Sequence, residues 1–172
     1  MHLDERFRMT VDEFWDWSLA RYSDPPTRDY LLTLQAELDL VVLEALFAMW
    51  LGSRHREWGE GAADRLGRAT QRWLEAVVSP LRETRVRWRS DPTLQTAREH
   101  LLTLEVQAER HLAELIWDAV MGSSDVTTDV VYRPEIATAE LMTVNVGRIP
   151  LFRDGKYVSE RTQMVVLLDQ AT

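Results

Sequence analysis

The twelve residues from Leu40 to Leu51 constrain the fold most, because they are apolar nearly all round a helix. Glu44 is the one charged residue in this stretch, LVVLEALFAMWL. The stretch is shorter than the roughly 20 apolar residues that span a bilayer, so it must be buried by protein on several sides. Asp39 before it and Gly52 after it are typical helix boundaries. We therefore expect a helix over about 40–51 at the centre of the fold.

A second strong pattern begins at Asp91-Pro92, a cap followed by proline at the first helical position. Gly122 is a suitable end for this helix. Between them apolar residues recur every three or four positions, which is typical of a bundle helix packed against its neighbours. The pattern predicts the longest helix over about 92–121. Its predicted buried row is Leu94, Ala97, Leu101, Leu104, Ala108, His111 and Leu115.

The remaining segments complete an all-α prediction of six or seven helices. A capping box at Thr10 opens the first helix, and Pro80 predicts a kink near Ser79 in the fourth. The polar stretches 52–62 and 123–133 are predicted to be a loop and a linker. We expect one domain over 1–172, with a core from 10–121 and a C-terminal helix–loop–helix over 134–171. Residues 149–158 also fit a local hairpin around an Asp-Gly turn, an alternative that the sequence leaves open.

Composition excludes several classes of function. The chain has 172 residues and no cysteine, so it has no disulfides, thiolate nucleophiles or cysteine metal sites. Its net charge of −8 argues against a general nucleic-acid binder. The N-terminal MHLDERFRM lacks the apolar core of a signal peptide. We expect a cytoplasmic protein without a membrane segment.

The charge is unevenly distributed. Residues 54–89 carry nine arginines against five acidic residues, whereas both flanks are acidic. Arg82, Arg85 and Arg89 share a helical face, and Trp88 lies beside them. Guanidinium groups bind carboxylates and phosphates in two-point fashion. The segment could therefore hold an acidic partner, or it could form ion pairs with the acidic flanks of the same fold.

The chain also holds seven tryptophans. Trp15 and Trp17 point to different faces of the first helix, so both are buried only if that helix packs on two sides. An exposed Trp17 would mark a docking surface, since Trp and Arg dominate interface hot spots.

Four polar residues are candidates for a helical pocket. Asp12 and Asp16 are four positions apart, as in helical carboxylate pairs that hold Mg²⁺, and Asp125 and Asp129 have the same spacing. Glu44 either handles a ligand or proton in the core, or lies at an edge with its carboxyl in water. His111 is interpreted as a core residue. No motif for a catalytic residue, a metal or a cofactor is present.

Several spaced motifs resemble a known family. They are Phe14-Trp15-Asp16-Trp17-Ser18-Leu19 with Tyr22, Met49-Trp50-Leu51, and Trp73 followed by Val77-Val78-Ser79-Pro80-Leu81-Arg82. Together they resemble a family of small, mainly proteobacterial proteins that is classified as a domain of unknown function. The resemblance covers about residues 10–117. It implies an all-helical single domain in a bacterial cytoplasm, and it implies no activity, cofactor or catalytic residue.

Three functional hypotheses fit these patterns. The leading one is a non-enzymatic interaction or regulatory protein that holds an acidic partner through Arg82, Arg85, Arg89, Trp88 and Trp17. It predicts that reversing the charge of the three arginines abolishes partner capture without unfolding the domain. The alternative is a small-molecule binder or enzyme in which Asp12, Asp16, Glu44 and His111 converge on one cavity. The third is a contact with RNA or the ribosome through the arginine segment. The sequence does not specify the oligomeric state.

Overall fold

The computed structural model describes residues 9–122 and 129–170, which form an all-α fold with one small sheet. The described helices are α1 (Val11–Tyr22), α2 (Pro25–Leu38), α3 (Val42–Ser53), α4 (Glu60–Trp73), α5 (Ser79–Arg87), α6 (Gln95–Met121), α7 (Thr138–Gly147) and α8 (Val158–Gln170). They number eight, against the six or seven predicted, because the kinked fourth helix is divided into α4 and α5. None of the helices in the described ranges is long and apolar enough to cross a membrane.

Helix α3 occupies the centre, as its composition predicts. Every residue from 44 to 52 is buried. Phe14 of α1 packs edge-on against Phe47, with ring centroids 5.0 Å apart. On the other side α7 approaches so closely that a Cβ on Gly52 would lie 2.6 Å from the Met142 backbone nitrogen. Only glycine fits this crossing, so Gly52 sets the spacing of α3 and α7 in addition to ending the apolar run.

A short antiparallel sheet joins two segments that we expected to be a loop and a linker. Strand β1 (Arg56–Trp58) pairs with β2 (Val130–Tyr132). Neither strand has enough residues for an alternating pattern, which is why the sequence did not reveal them. The pairing brings the segment that precedes α4 in the chain next to the segment that follows α6.

Asn145 of α7 connects this sheet to the core. Its side-chain amide donates to the carbonyls of Ala48 and Arg56, at 3.1 and 2.8 Å, and its Oδ1 accepts from the Trp58 backbone N–H at 3.1 Å. The indole Nε1 of Trp58 donates to the Asn145 carbonyl at 2.7 Å. Both residues are fully buried. One side chain thus ties α3, β1 and α7 together.

Helix α6 is the longest helix, as expected, but its buried face differs from the prediction. The buried residues are Glu105, Ala108, Leu112, Ala113, Ile116 and Val120. Leu104 is 49% exposed, and His111 is exposed rather than in the core. Ala108 is buried as predicted, whereas the prediction is wrong for Leu104 and His111, because a charged residue, Glu105, occupies the buried row and the apolar pattern led to a neighbouring face.

The C-terminal segment forms two helices, α7 and α8, joined by a turn. Residues Pro150–Gly155 form a 3-10 turn between α7 and α8, not a hairpin. Helix α7 begins at Thr138 rather than near 134. The expected core of 10–121 is too short, because Met142, Phe152 and Met164 belong to the same buried cluster as the N-terminal helices.

Replacing Asn145 by Ala should lower the free energy of unfolding by about 3 kcal/mol, because buried backbone groups lose their partners. Urea denaturation followed by tryptophan fluorescence measures this. Thr143→Ala is the control on the same helix, since the Thr143 hydroxyl bonds only to its own helix at Ala139, and should change stability by about 0.5 kcal/mol or less. Equal effects of the two changes would show that Asn145 is not a structural link.

Candidate binding groove and its charged walls

A groove of about 1310 Å³ runs between α1–α2 on one side and α4–α6 on the other, with α3 at its inner end. Its lining includes large apolar side chains that are nearly half exposed. They are Leu19 at 48%, Leu32 at 41%, Val86 at 47%, Leu102 at 49% and Val106 at 42%. Pockets for small ligands have volumes of about 300–1000 Å³. The groove is therefore larger than a drug-sized molecule needs.

A π-helical turn, Leu74–Val78, forms part of the groove wall between α4 and α5. The Ser79 N–H donates to the Leu74 carbonyl, five residues back. The turn lies directly before Pro80, whose nitrogen has no hydrogen to donate and whose ring clashes with the preceding turn. This is the kink predicted near Ser79. Such single π turns are frequent at functional sites.

A buried ion-pair network supports the same wall. Glu105 is 4% exposed and accepts from Arg82 Nε at 3.0 Å and Arg85 Nε at 2.5 Å. Arg82 also donates to Glu109 at 2.8 Å. The hydrogen bonds that Arg85 donates to Glu105 raise the pKa of Arg85 despite its partial burial. Burial raises the pKa of the Glu109 carboxyl, and Arg82 offsets part of that effect.

The structure therefore gives Arg82 and Arg85 a structural role that competes with partner binding. Arg89 is exposed, lines the groove and has no ion pair among the described residues. Trp88 is partly buried and lies outside the groove lining. Trp17 is also partly buried, packs against the core and lies under the Arg21 guanidinium, 4.9 Å from its ring centroid. The five candidate docking residues do not form one exposed patch.

The four pocket candidates do not converge. Only Glu44 lines the groove. Asp12 pairs with Arg110, and Asp16 is exposed on α1. His111 lies at the surface, where its Nδ1 is 3.2 Å from Glu114 and its ring contacts Trp73. The convergence prediction is wrong, because three of the four side chains belong to exposed helix faces.

The second aspartate pair has no defined geometry. Asp125 lies outside the described residues, and Asp129 is paired with Arg65 at 2.6 Å. Within residues 9–122 and 129–170, no three His, Asp or Glu side chains are placed to hold a metal ion.

Glu44 is nearly buried at the groove surface and does not extend into water from an edge of the fold. It is 8% exposed, and its Oε1 accepts from the Thr70 hydroxyl at 2.6 Å. Burial raises the pKa of the Glu44 carboxyl, and the bond from Thr70 lowers it in part. No Arg or Lys within the described ranges forms an ion pair with it. The result is a buried carboxyl without a countercharge at the groove.

Sequence reasoning missed Glu105, Glu109 and Thr70. A usable signal existed for the two glutamates, since Glu105 and Glu109 are four positions apart and Arg82 and Arg85 are three apart. Residues three or four apart lie on the same face of a helix. The two glutamates can therefore face the two arginines where α5 and α6 pack together. No comparable signal marks Thr70, whose bond to Glu44 depends on how α3 and α4 pack.

Arg85→Glu should destabilise the protein by about 3–5 kcal/mol, because it leaves buried Glu105 beside a second negative charge. Arg89→Glu, on the same segment but exposed, should change stability by about 0.5 kcal/mol or less. Urea denaturation of both variants measures the difference. The triple charge reversal is thus expected to unfold the domain, which corrects the sequence-based expectation. Similar stability of the two variants would contradict the structural role of Arg85.

Glu44→Gln should stabilise the protein above about pH 5. The folded-state pKa is raised above the ordinary 4.5, so the unfolded chain loses this proton first and stability falls as the pH rises from 4.5 through the folded value. Gln still accepts from Thr70 and carries no charge. Melting curves from pH 4 to 8 should show a gain for the variant that grows with pH, at roughly 2–4 °C per kcal/mol. Glu83→Gln is the control, since Glu83 is exposed on α5 and has no ion pair among the described residues; a pH-independent gain for Glu44→Gln would contradict the burial argument.

Comparison with known proteins identifies a family whose model covers most of the groove. Residues 13–116, which include most of α1, all of α2 to α5 and most of α6, match the family described as Protein of unknown function (DUF2390). No curated protein and no solved structure matches the chain. The matched region contains both walls of the groove, the arginine–glutamate network and Glu44. The resemblance noted in the sequence motifs is thereby confirmed: the chain belongs to the DUF2390 family of proteins of unknown function.

Proposed function

We propose that the chain is a non-enzymatic interaction protein whose groove holds an amphipathic helix of a partner protein. The observation that carries the proposal is the set of large, nearly half-exposed apolar side chains on both walls of the groove. Amphipathic helices bind such grooves through apolar residues spaced three and four apart. The proposed setting is the bacterial cytoplasm, which rests on the resemblance of the sequence motifs to a bacterial family.

The charge on the α4–α5 wall supports a partner with acidic ends. Arg68 and Arg89 both line the groove, are exposed and have no ion pair among the residues that the structure describes. They are 21 positions apart along α4, the π turn, α5 and the turn that follows, a contour length of about 30 Å at 1.5 Å per residue. A partner helix of about 20 residues spans this distance. Acidic side chains near its two ends would meet the free guanidinium groups.

The pairing of Arg82 and Arg85 favours a protein partner over RNA. Phosphate binding depends on several free cationic side chains, and two of the three arginines in the predicted docking face already bind Glu105. Glu105, Glu109 and Glu44 also line the groove and would repel a phosphate backbone. Apolar contacts therefore supply most of the proposed affinity, and the two free arginines set the orientation.

A pair of leucines on α6 provides a matched test. Leu102 and Leu104 are each 49% exposed, but only Leu102 lines the groove. Leu102→Asp should weaken binding of a 20-residue peptide with a leucine stripe and glutamates near both ends by about tenfold or more, because it places a charge against an apolar face. Leu104→Asp should bind it like the wild type. Fluorescence anisotropy with a labelled peptide gives the Kd values.

A second peptide with lysines at both ends separates charge from apolar contact. It should bind the wild type more weakly than the glutamate peptide, and the difference should shrink at high salt. Circular dichroism checks that both aspartate variants remain folded. If the wild type binds neither peptide, or if Leu102→Asp and Leu104→Asp have equal effects, the groove is not a helix-binding site.

A further inference from the structure

The lone carboxyl of Glu44 is the feature of the groove that the proposed function does not use. Glu44 is in the first turn of α3 and lines the groove. Its nearest groove neighbours along the chain, residues 40–43 and Leu46, are all apolar, and the exposed Asp39 lines the groove before them. One oxygen, Oε1, accepts from Thr70, whereas Oε2 accepts no hydrogen bond from the residues that the structure describes.

A buried carboxyl without a countercharge is costly to a fold. The nearby arginines of the groove do not relieve this cost, since Arg82 and Arg85 bind Glu105 and Glu109 instead. No charged side chain contributes to the raised pKa of Glu44, which follows from burial alone. The position is therefore unfavourable in the free protein and becomes favourable when a cation arrives through the groove.

A second polar group on the groove wall also lacks a partner. Ser18 of α1 is 3% exposed, lines the groove, and its hydroxyl has no hydrogen-bond partner in the described ranges. Buried hydroxyl groups are normally hydrogen-bonded. Ser18 on α1 and Glu44 on α3 are thus two buried polar side chains of the groove lining with unused hydrogen-bonding capacity.

We propose that Glu44 receives the ammonium group of a lysine on the apolar face of the docked helix. This inference rests on the proposed function and adds the partner residue that the groove selects. Because Thr70 already occupies Oε1, the carboxylate offers one free oxygen. That arrangement suits a point charge such as ammonium better than the two-point fork of arginine. The four-carbon stem of lysine packs along the apolar residues before Glu44.

Two related peptides and one variant test the pairing. The leucine-stripe peptide is made with lysine at each apolar position in turn, and with norleucine, which has the same stem without the ammonium. For each position, the Kd of the norleucine peptide is divided by the Kd of the lysine peptide. At one position this ratio should be at least about tenfold higher for the wild type than for Glu44→Gln. A factor of this size corresponds to the coupling measured for close charge pairs. Ratios that agree within about twofold at every position overturn the proposal.

A free amine provides a test that does not need the peptide. Hexylammonium should lower the pH at which the Glu44 side-chain ¹³C resonance titrates, since a bound cation holds the carboxyl ionised, whereas hexanol should not. Exposed Glu114 is the internal control. An unchanged Glu44 titration overturns the ammonium site. If hexylammonium changes the Glu44 titration but the lysine and norleucine peptides bind equally, the ammonium group that Glu44 receives is that of a free amine and not that of a partner lysine.

The outcomes separate this inference from the proposed function. If the norleucine peptide binds and lysine brings no gain at any position, the groove is a helix-binding site and the Glu44 pairing is wrong. If no peptide binds, the helix-binding function and the lysine source both fail. Ser18→Ala should weaken the lysine peptide more than the norleucine peptide if the hydroxyl shares the ammonium, and it should affect them equally if it does not.

Discussion

The rest of the structure depends on burying a helix that has no polar face. Helix α3 carries apolar residues all round, so no arrangement with α3 at the surface is stable in water. Helices α1, α2, α6, α7 and α8 accordingly surround it. Close contact on every side leaves little tolerance: glycine is required where α7 crosses, and Asn145 must satisfy the backbone groups that the adjoining β1 brings into the interior.

The groove is a by-product of this arrangement. Helix α3 is twelve residues long, and the rod of α4, the π turn and α5 extends well beyond it. The part of the rod past α3 packs against α6 through charged residues, with Glu105 between two arginines. The core is closed around α3, and the groove beside α5 is lined by the charged residues of this interface.

The sequence predicted the features that local patterns determine. The apolar run of α3, the limits of α6, the kink before Pro80 and the C-terminal helix–loop–helix depend on residues close together in the chain. Predictions failed where contacts between residues far apart in the sequence determine the structure. The buried face of α6 was misassigned because the partner of Glu105 is about 20 residues away, and β1–β2 was missed because its strands are more than 70 residues apart.

The candidate site was predictable only in part. Arg82, Arg85, Arg89 and Glu44 all line the groove, as their chemistry suggested for a functional region. Their roles depended on partners that periodicity does not reveal: Glu105 takes two of the arginines, and Thr70 is the hydrogen-bond donor to Glu44.

The short sheet determines how the groove is assembled. The Gly59 N–H donates to the Asp129 carbonyl at 2.8 Å, and the Arg133 N–H to the His55 carbonyl at 2.8 Å. The chain thus leaves the scaffold at β1, traverses α4 to α6 and returns to the same point at β2. One wall of the groove belongs to this excursion and the other to the segment before it. Closing so long a loop is a non-local step with an entropic cost. A ligand that needs both walls therefore binds only after the excursion has packed against the N-terminal helices, so its binding reports that step of folding.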